Sequence, residues 1–216
     1  MSVEDAIATT RKEIERNQNL RIVAISGPGE PLANHETFET LQRIREEFND
    51  IAICLSTNGI LLRENINWLK ETRIETISVS MSTTNPNTAN KIYEWVRLGD
   101  EVARGEIFGL QIIASQLDGI RKAARLGIHV KVNTILIPDI NSQDIIPLAR
   151  EISRAGAILQ NIVPLVPNDR FSNYRSPTKR ELKEFRRLAS TYISQFSHCM
   201  QCRSDVVGIP GRDRIL

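Results

Sequence analysis

Strand-like and helix-like stretches alternate along almost the whole chain, and this alternation constrains the fold more than any other feature of the sequence. Runs rich in Val, Ile and Leu predict strands at Arg21–Ser26, Ile51–Ser56, Thr76–Met81, His129–Leu136 and Ile158–Leu165. Strands that alternate with helices at this spacing are parallel and joined by right-handed crossovers, which predicts an α/β fold. Because the strands are almost continuously apolar, we expect both faces of the sheet to be covered.

Amphipathic stretches between the strands predict the helices. They occur at His35–Phe48, Glu64–Lys70, Asn87–Val96, Ile107–Arg125 and Ser142–Arg154. An S-x-x-D pattern at Ser2 and a T-x-x-E pattern at Thr178 are capping boxes, so a first helix begins after Ser2 and a last one after Thr178.

Composition excludes several classes of protein. The 216 residues suffice for one domain, and a formal net charge of +2 gives no case for a nucleic-acid surface. No apolar run approaches the roughly 18 residues of a membrane span, and the N-terminus has no signal-peptide core. Three cysteines without a disulfide pattern fit a reducing compartment. We therefore expect a cytoplasmic protein that binds neither nucleic acid nor membranes.

Small and polar residues follow every predicted strand. The segments are SGPGE, CLSTNG, SVSMSTTNP, VNTILIPDIN and NIVPLVP. Because the carboxyl ends of parallel strands meet at one edge, these segments predict a shared site there. Polar residues are common in any turn, so the prediction depends on their number.

The segment GPGE combines two glycines, which have no side chain, with a carboxylate. It has neither the Lys-Ser/Thr of a phosphate loop nor the spacing of a dinucleotide fingerprint. Gly27 and Gly29 would let a ligand approach the main chain, and Glu30 could accept hydrogen bonds from an ammonium group. Alternatively, the segment is a tight turn in which Glu30 begins a helix. STNG, at Ser56–Gly59, is either a ribose or carboxylate site or a turn.

The three cysteines are candidate metal ligands. Cys199 and Cys202 form a C-x-x-C pair, a spacing that brings two thiolates to one metal or cluster, and a redox dithiol is the alternative. Cys54 lies near the end of a predicted strand, where it is either a cluster ligand or a buried thiol.

Several blocks of the sequence, in order, resemble the NifB-type nitrogenase cofactor biosynthesis proteins, which are radical S-adenosylmethionine (SAM) enzymes. The blocks are GPGEPLAN, TFETL, CLSTNG, KIYEWV, QLDGI, VKVNTILIPDIN, QNIVPLVP and CMQCRSDVVG. The resemblance implies an incomplete parallel (βα) barrel. It also implies that Gly27, Gly29 and Glu30 bind the methionine amino group of SAM. The rest of the SAM pocket would comprise Thr57, Asn58, Ser80, Thr83, Asn133 and Ile137.

The resemblance also implies a reaction. Two iron–sulfur clusters are fused, a SAM-derived methyl group supplies a carbide, and a second SAM is cleaved to a 5′-deoxyadenosyl radical. Cys199 and Cys202 match the pair that holds one substrate cluster, and Cys54 matches a ligand of the other. The implied cofactors are 4Fe-4S clusters and SAM. The implied partners are iron–sulfur cluster donors and cofactor carrier or scaffold proteins, with the chain itself a monomer.

The sequence departs from this family in one respect. The family holds its reductive cluster on a C-x₃-C-x₂-C loop after the first strand, and no such motif occurs here. We therefore expect the first strand and cluster loop to be missing, which leaves a partial barrel at 1–195 and a cysteine-containing tail at 196–216. A non-catalytic iron–sulfur cluster-binding or carrier module is the alternative. A metal-free aldolase-like barrel is a third hypothesis, and it would need Lys131 as a Schiff-base lysine.

Overall fold

The computed structural model describes residues 2–27, 29–98, 101–104, 106–196, 206–209 and 212–215. Its helices are α1 Val3–Arg16, α2 His35–Glu47, α3 Ile66–Glu71, α4 Pro86–Ile92, α5 Glu106–Arg125, α6 Pro138–Asn141, α7 Ile145–Arg154 and α8 Lys179–Ala189. Its strands are β1 Ile22–Ile25, β2 Ala52–Thr57, β3 Thr76–Ser80, β4 Val96–Leu98, β5 Glu101–Ala103, β6 His129–Leu136, β7 Leu159–Pro164, β8 Ser194–Gln195, β9 Val206–Ile209 and β10 Arg212–Ile215. Single 3-10 turns cover Pro31–Ala33, Ser142–Asp144 and Asp169–Phe171.

Six strands form one parallel sheet in the order β1-β2-β3-β6-β7-β8. Each of the five predicted strands is present, and their bounds differ from the predicted ones by at most one residue at either end. Strands β1 and β8 are the two edges of this sheet, so the described strands form an open arrangement and not a closed barrel. The predicted α/β class, an incomplete parallel barrel, is confirmed.

The main core of the described residues lies on one face of the sheet. Ile53, Leu55 and Val79 belong to this core together with apolar residues of α1, α2, α3, α5 and α7. The strand residues that alternate with them, among them Cys54 and Lys131, lie on the opposite face and are not part of it. We call this opposite face the open face.

Local capping explains where the first and last helices begin. The Ser2 side chain accepts a hydrogen bond from the backbone N–H of Asp5, whose carboxylate reaches back to Ser2, so the predicted capping box is present. Thr178 and Glu181 form the same motif before α8. Both predicted helix starts are confirmed.

One predicted helix ends early and a hairpin takes its place. Helix α4 stops at Ile92, and β4 pairs antiparallel with β5 with Arg97 opposite Val102. Glycine and aspartate follow β4 in the sequence, and that pair is a turn signal between two short extended runs. The prediction of a helix to Val96 overlooked this signal.

The end of the chain leaves two predictions open. Cys199 and Cys202 lie outside the described residues. Strands β9 and β10 pair antiparallel with each other, and the division into a barrel at 1–195 and a tail at 196–216 stays a prediction. Among the described helices, none is long and apolar enough to cross a membrane.

Candidate functional site

The Glu30 side chain joins the first two loops at the carboxyl edge of the sheet. Its carboxylate accepts hydrogen bonds from the Thr57 hydroxyl at 2.6 Å and from the Asn58 backbone N–H at 2.7 Å. It also accepts from the Leu32 N–H at 3.1 Å, as the N-cap of the 3-10 turn that comes next. Glu30 is therefore a capping carboxylate at the start of a short helical turn, as one of the two interpretations expected. A carboxylate has about four acceptor positions, so one remains for a ligand.

The glycines before Glu30 leave their backbone accessible. A Cβ placed on Gly27 or on Gly29 would meet no atom within 4 Å. Gly29 has φ of +103°, in the left-handed region that favours glycine. Next to them, the Ser26 Oγ is buried and has no hydrogen-bond partner in the described part of the chain. This corner thus offers open space beside backbone and an unused hydroxyl, which suits a polar ligand.

Gln116 connects the ends of β2 and β3. Its Nε2 donates to the carbonyl of Asn58 at 2.7 Å and to that of Ser80 at 2.9 Å. The Thr57 hydroxyl accepts a hydrogen bond from the Gly59 N–H at 3.0 Å and so closes the turn that follows β2. The sequence analysis missed Gln116, although a polar residue on the buried side of an apolar helix is a recognisable signal. Its Oε1 is buried and unpartnered among the described residues.

Thr83 and Ile137, two of the predicted SAM residues, are buried and make hydrogen bonds within the protein. The Thr83 hydroxyl donates to Asp144 at 2.7 Å, and the Ile137 N–H donates to Asn141 Oδ1 at 2.8 Å. Thr83 is 1% exposed and Ile137 is 2% exposed. The Ile137 carbonyl also accepts from the N–H groups of Ile140 and Asn141, so both backbone polar groups of Ile137 have partners within the protein.

Strand register places Cys54 on the open face. Cys54 lies opposite Thr76 of β3, and its Sγ is 4.0 Å from the Ser78 Oγ. Three residues further along the strand, Thr57 bonds to Glu30. Glu30 and STNG are therefore joined at the carboxyl end of β2, and Cys54 lies three residues earlier on the same strand, on the open face.

The middle of the open face carries two asparagines and a lysine. Ser80, Asn133 and Asn161 lie side by side in register, and the Asn161 amide donates to the Asn133 Oδ1 at 3.3 Å. Lys131 is level with Ser78, and its Nζ is 5.8 Å from the centre of the Phe196 ring. The direction of Lys131, which alternation alone left uncertain, is thus towards the open face.

A separate surface cavity of about 320 Å³ contains none of the predicted SAM residues. Burial raises the pKa of Tyr93, which borders this cavity, and the nearby Gln116 side chain partly offsets the rise. The phenol therefore stays neutral at physiological pH. The full lining consists of Asn90, Tyr93, Glu94, Arg104, Phe108 and Arg170.

The residues at the carboxyl edge fit SAM. Open space next to Gly27 and Gly29, the unused Ser26 hydroxyl and the amides of Asn58 and Asn133 offer both donors and acceptors. SAM carries an amino group, a carboxylate and ribose hydroxyls, which need this mixture.

The described residues do not complete a site for the reductive 4Fe-4S cluster. Among them no group of three or more His, Cys, Asp or Glu side chains is arranged to hold a metal. Cys54 is the one cysteine in the described part, and a cluster of this type is held by several thiolates. These residues therefore support no catalytic step through such a cluster.

A solved structure with a similar fold agrees with the parallel sheet. A radical SAM methyltransferase from Sphaerobacter thermophilus matches with a TM-score of 0.59 and 21% identity. The match covers 90% of this chain and 55% of that one. At this identity the likeness shows the fold.

Curated relatives and a family profile identify the chain. The profile of the Radical SAM superfamily matches residues 1–152. The FeMo cofactor biosynthesis protein NifB of Methanocaldococcus jannaschii is 38% identical over 99% of this chain and 71% of its own length. NifB of Klebsiella pneumoniae is 34% identical over 99% of this chain but 47% of its own length. The chain therefore belongs to the radical SAM superfamily, whose cofactors are SAM and 4Fe-4S clusters, and within it to the NifB proteins of FeMo cofactor biosynthesis.

Proposed function

We propose that the chain provides the SAM pocket and one cluster-holding face for the fusion of two iron–sulfur clusters with insertion of a SAM-derived carbide. The product would be the precursor of the nitrogenase cofactor, and the reaction would be of the lyase type. One observation carries the proposal most: Glu30 joins the GPGE and STNG loops at the carboxyl end of β2, the strand that also bears Cys54. This arrangement would bring a SAM ligand close to a thiol that can hold iron.

The chain's own residues would bind and orient SAM. When bound, SAM supplies a methyl group and, on reductive cleavage, a 5′-deoxyadenosyl radical. Gly27 and Gly29 would accept its methionine part against open backbone, with the remaining acceptor position of Glu30 facing the amino group. Asn58, Ser80 and Asn133 would contact the rest of the molecule, together with Thr57, Thr83 and Ile137.

The iron–sulfur clusters are the substrates in this proposal. Cys54 would hold one of them on the open face, and Cys199 with Cys202 would hold the other. Cluster donors and cofactor carrier or scaffold proteins would then be the partners. A monomeric state and a cytoplasmic location are parts of the same proposal.

SAM binding tests the pocket. Gly27 has open space around it, so a Gly27→Val variant folds normally while its side chain occupies the ligand's position. We expect its affinity for SAM, measured by anaerobic isothermal titration, to fall about tenfold or more through steric exclusion. Ala8→Val, on the exposed side of α1, is the control and keeps the wild-type affinity. Equal SAM affinity in wild type and Gly27→Val would show that the pocket is wrongly assigned.

A non-catalytic cluster carrier is the second candidate, because the 216-residue sequence contains no C-x₃-C-x₂-C motif. The two candidates differ in the products expected after the chain is reconstituted with iron and sulfide under anaerobic conditions. Catalysis predicts that SAM and dithionite yield 5′-deoxyadenosine and S-adenosylhomocysteine, detected by liquid chromatography. Bound iron and bound SAM without either product would favour the carrier. In both cases Cys54→Ser lowers the iron content.

A further inference from the structure

We infer that Gln116 is a positioning residue for SAM: its side-chain amide fixes the loop after β2 against the end of β3, and so sets where Asn58 meets the ligand. This inference rests on the proposed function and adds a residue that neither the sequence analysis nor the comparisons assign to the pocket. Ligands of parallel sheets bind in the crevice at the carboxyl ends of the strands, so the group that fixes the spacing of two strand ends shapes the site.

Gln116 continues the contact between β2 and β3 beyond the point where their register pairing ends. The last pair in register is Thr57 with Val79. One residue further along each strand, the carbonyls of Asn58 and Ser80 both accept from the Gln116 Nε2, at 2.7 Å and 2.9 Å. Because both hydrogen bonds use one nitrogen, the two carbonyls cannot move apart without breaking one of them.

A side-chain amide has the donors that this place requires. Both partners are carbonyl oxygens, which accept hydrogen bonds but do not donate, so the group between them must supply two N–H donors. Gln116 is 1% exposed, so the amide is shielded from competing water. The same orientation leaves its Oε1 buried and without a partner among the described residues, a cost in stability that an apolar core residue would avoid. The amide is therefore kept for what it holds.

The loop after β2 also packs directly on α5 at Gln116. A Cβ on Gly59 would lie 3.2 Å from the Gln116 Cγ and 3.7 Å from its Cα. Closely packed groups leave little room for adjustment, so a change in the side chain at this position moves the loop. The helix thus fixes the loop by contact as well as by hydrogen bonds.

This arrangement leaves one group of Asn58 for a ligand. Its N–H donates to Glu30 at 2.7 Å, its carbonyl accepts from Gln116, and its Oδ1 accepts from the Ile60 N–H at 2.9 Å. Within the described part of the chain, its Nδ2 makes no hydrogen bond. That amide can donate to an acceptor of SAM, such as its carboxylate. Gln116 therefore acts on SAM through Asn58 and not by touching it.

SAM binding to the full chain tests the inference. Gln116→Met keeps the length of the side chain but removes both donors, and we expect about tenfold weaker SAM binding in anaerobic isothermal titration, because Asn58 is no longer held in place. Gln111→Met, at an exposed position of the same helix, is the control and binds SAM like wild type. Equal affinity in wild type and Gln116→Met overturns the inference alone, whereas a wild-type chain that binds no SAM overturns the proposed function as well.

A pH profile separates hydrogen-bond donation from a merely structural role. In Gln116→Glu an ionised carboxylate would face two carbonyl oxygens, whereas the protonated acid has one O–H that donates to one of them. Burial disfavours the ionised form, so we expect the SAM affinity of Gln116→Glu, relative to wild type, to recover in part between about pH 8.5 and about pH 5.5. The relative affinity of Gln116→Met stays constant over this range. A constant relative affinity for Gln116→Glu contradicts the donor role and overturns the inference, even where Gln116→Met folds poorly.

Discussion

The two ends of the parallel sheet differ in how their buried polar groups are partnered. At the amino ends of β2 and β3, the guanidinium of Arg45 is 6% exposed and donates to four backbone carbonyls and to Glu75. At the carboxyl ends, Ser26 and Gln116 each keep a buried oxygen without a partner in the described part of the chain. Because an unpartnered buried oxygen costs stability, the difference indicates that the first end serves folding and the second a ligand.

The largest effect is expected at the amino end. Arg45→Met leaves the carbonyls of Asn49, Ile51, Thr72 and Arg73 without their donor, and we expect the free energy of unfolding to fall by about 3–5 kcal/mol. Urea denaturation of wild type and Arg45→Met measures this difference in the free energy of unfolding.

Arg43→Met is the control for this variant, since its ion pair with Glu4 is exposed to solvent and contributes little to stability. A similar loss in both variants would show that the Arg45 network contributes no more than a surface pair.

Packing at the two ends of the sheet can be compared at two glycines that have the same backbone conformation. Gly59, at the carboxyl edge, and Gly127, before β6, both have φ of +82°. A Cβ on Gly59 would lie 2.7 Å from the Val79 Cγ1, whereas one on Gly127 would meet nothing within 4 Å. We expect Gly127→Ala to cost about 1 kcal/mol and Gly59→Ala about 2–4 kcal/mol, because the second variant adds overpacking to the same strain.

The same urea series measures both glycine variants. Equal losses would contradict the tight packing of the turn after β2.

A smaller global effect is expected for the Glu30 connection. Glu30→Gln keeps the size of the side chain but weakens charged hydrogen bonds to Thr57 and Asn58, which costs about 1–2 kcal/mol locally. We expect faster hydrogen exchange at Asn58 and Gly59 and weaker SAM binding, with little change in the urea midpoint. Glu36→Gln, at an exposed position of α2, is the control. Unchanged exchange at Asn58 would contradict the connection between the loops.

The smallest effect on stability is expected at Glu181, which belongs to the exposed capping box of α8. Hydrogen bonds from Arg175, and then from Thr178, lower the pKa of Glu181 from 4.5 to about 2. A lowered carboxylate pKa stabilises the fold above the unfolded-state value and loses this contribution as the pH falls towards 2. The urea midpoint of the wild type should therefore fall more between pH 5 and pH 2 than that of Glu181→Gln. Parallel curves would contradict the assigned cause.

The sequence alone was sufficient for most of the fold. Strand β6 has the predicted bounds His129–Leu136, and Ser2 and Thr178 begin the predicted helices. These features depend on local patterns, namely runs of Val, Ile and Leu and side chains that bond to backbone two or three residues away. The β4–β5 hairpin was missed because its strands are three residues long and resemble the end of a helix.

Tertiary structure decided the partners of the polar groups. No local pattern shows that Glu30 bonds to Thr57, that Gln116 joins two loops, or that Lys131 faces the same side as Cys54. Each depends on strands and helices that are far apart in sequence and meet only when the sheet forms. The sequence therefore determined where the strands and loops are, and packing across the sheet determined which side chains are used for folding and which remain for a ligand, because hydrogen bonds are satisfied in space and not along the chain.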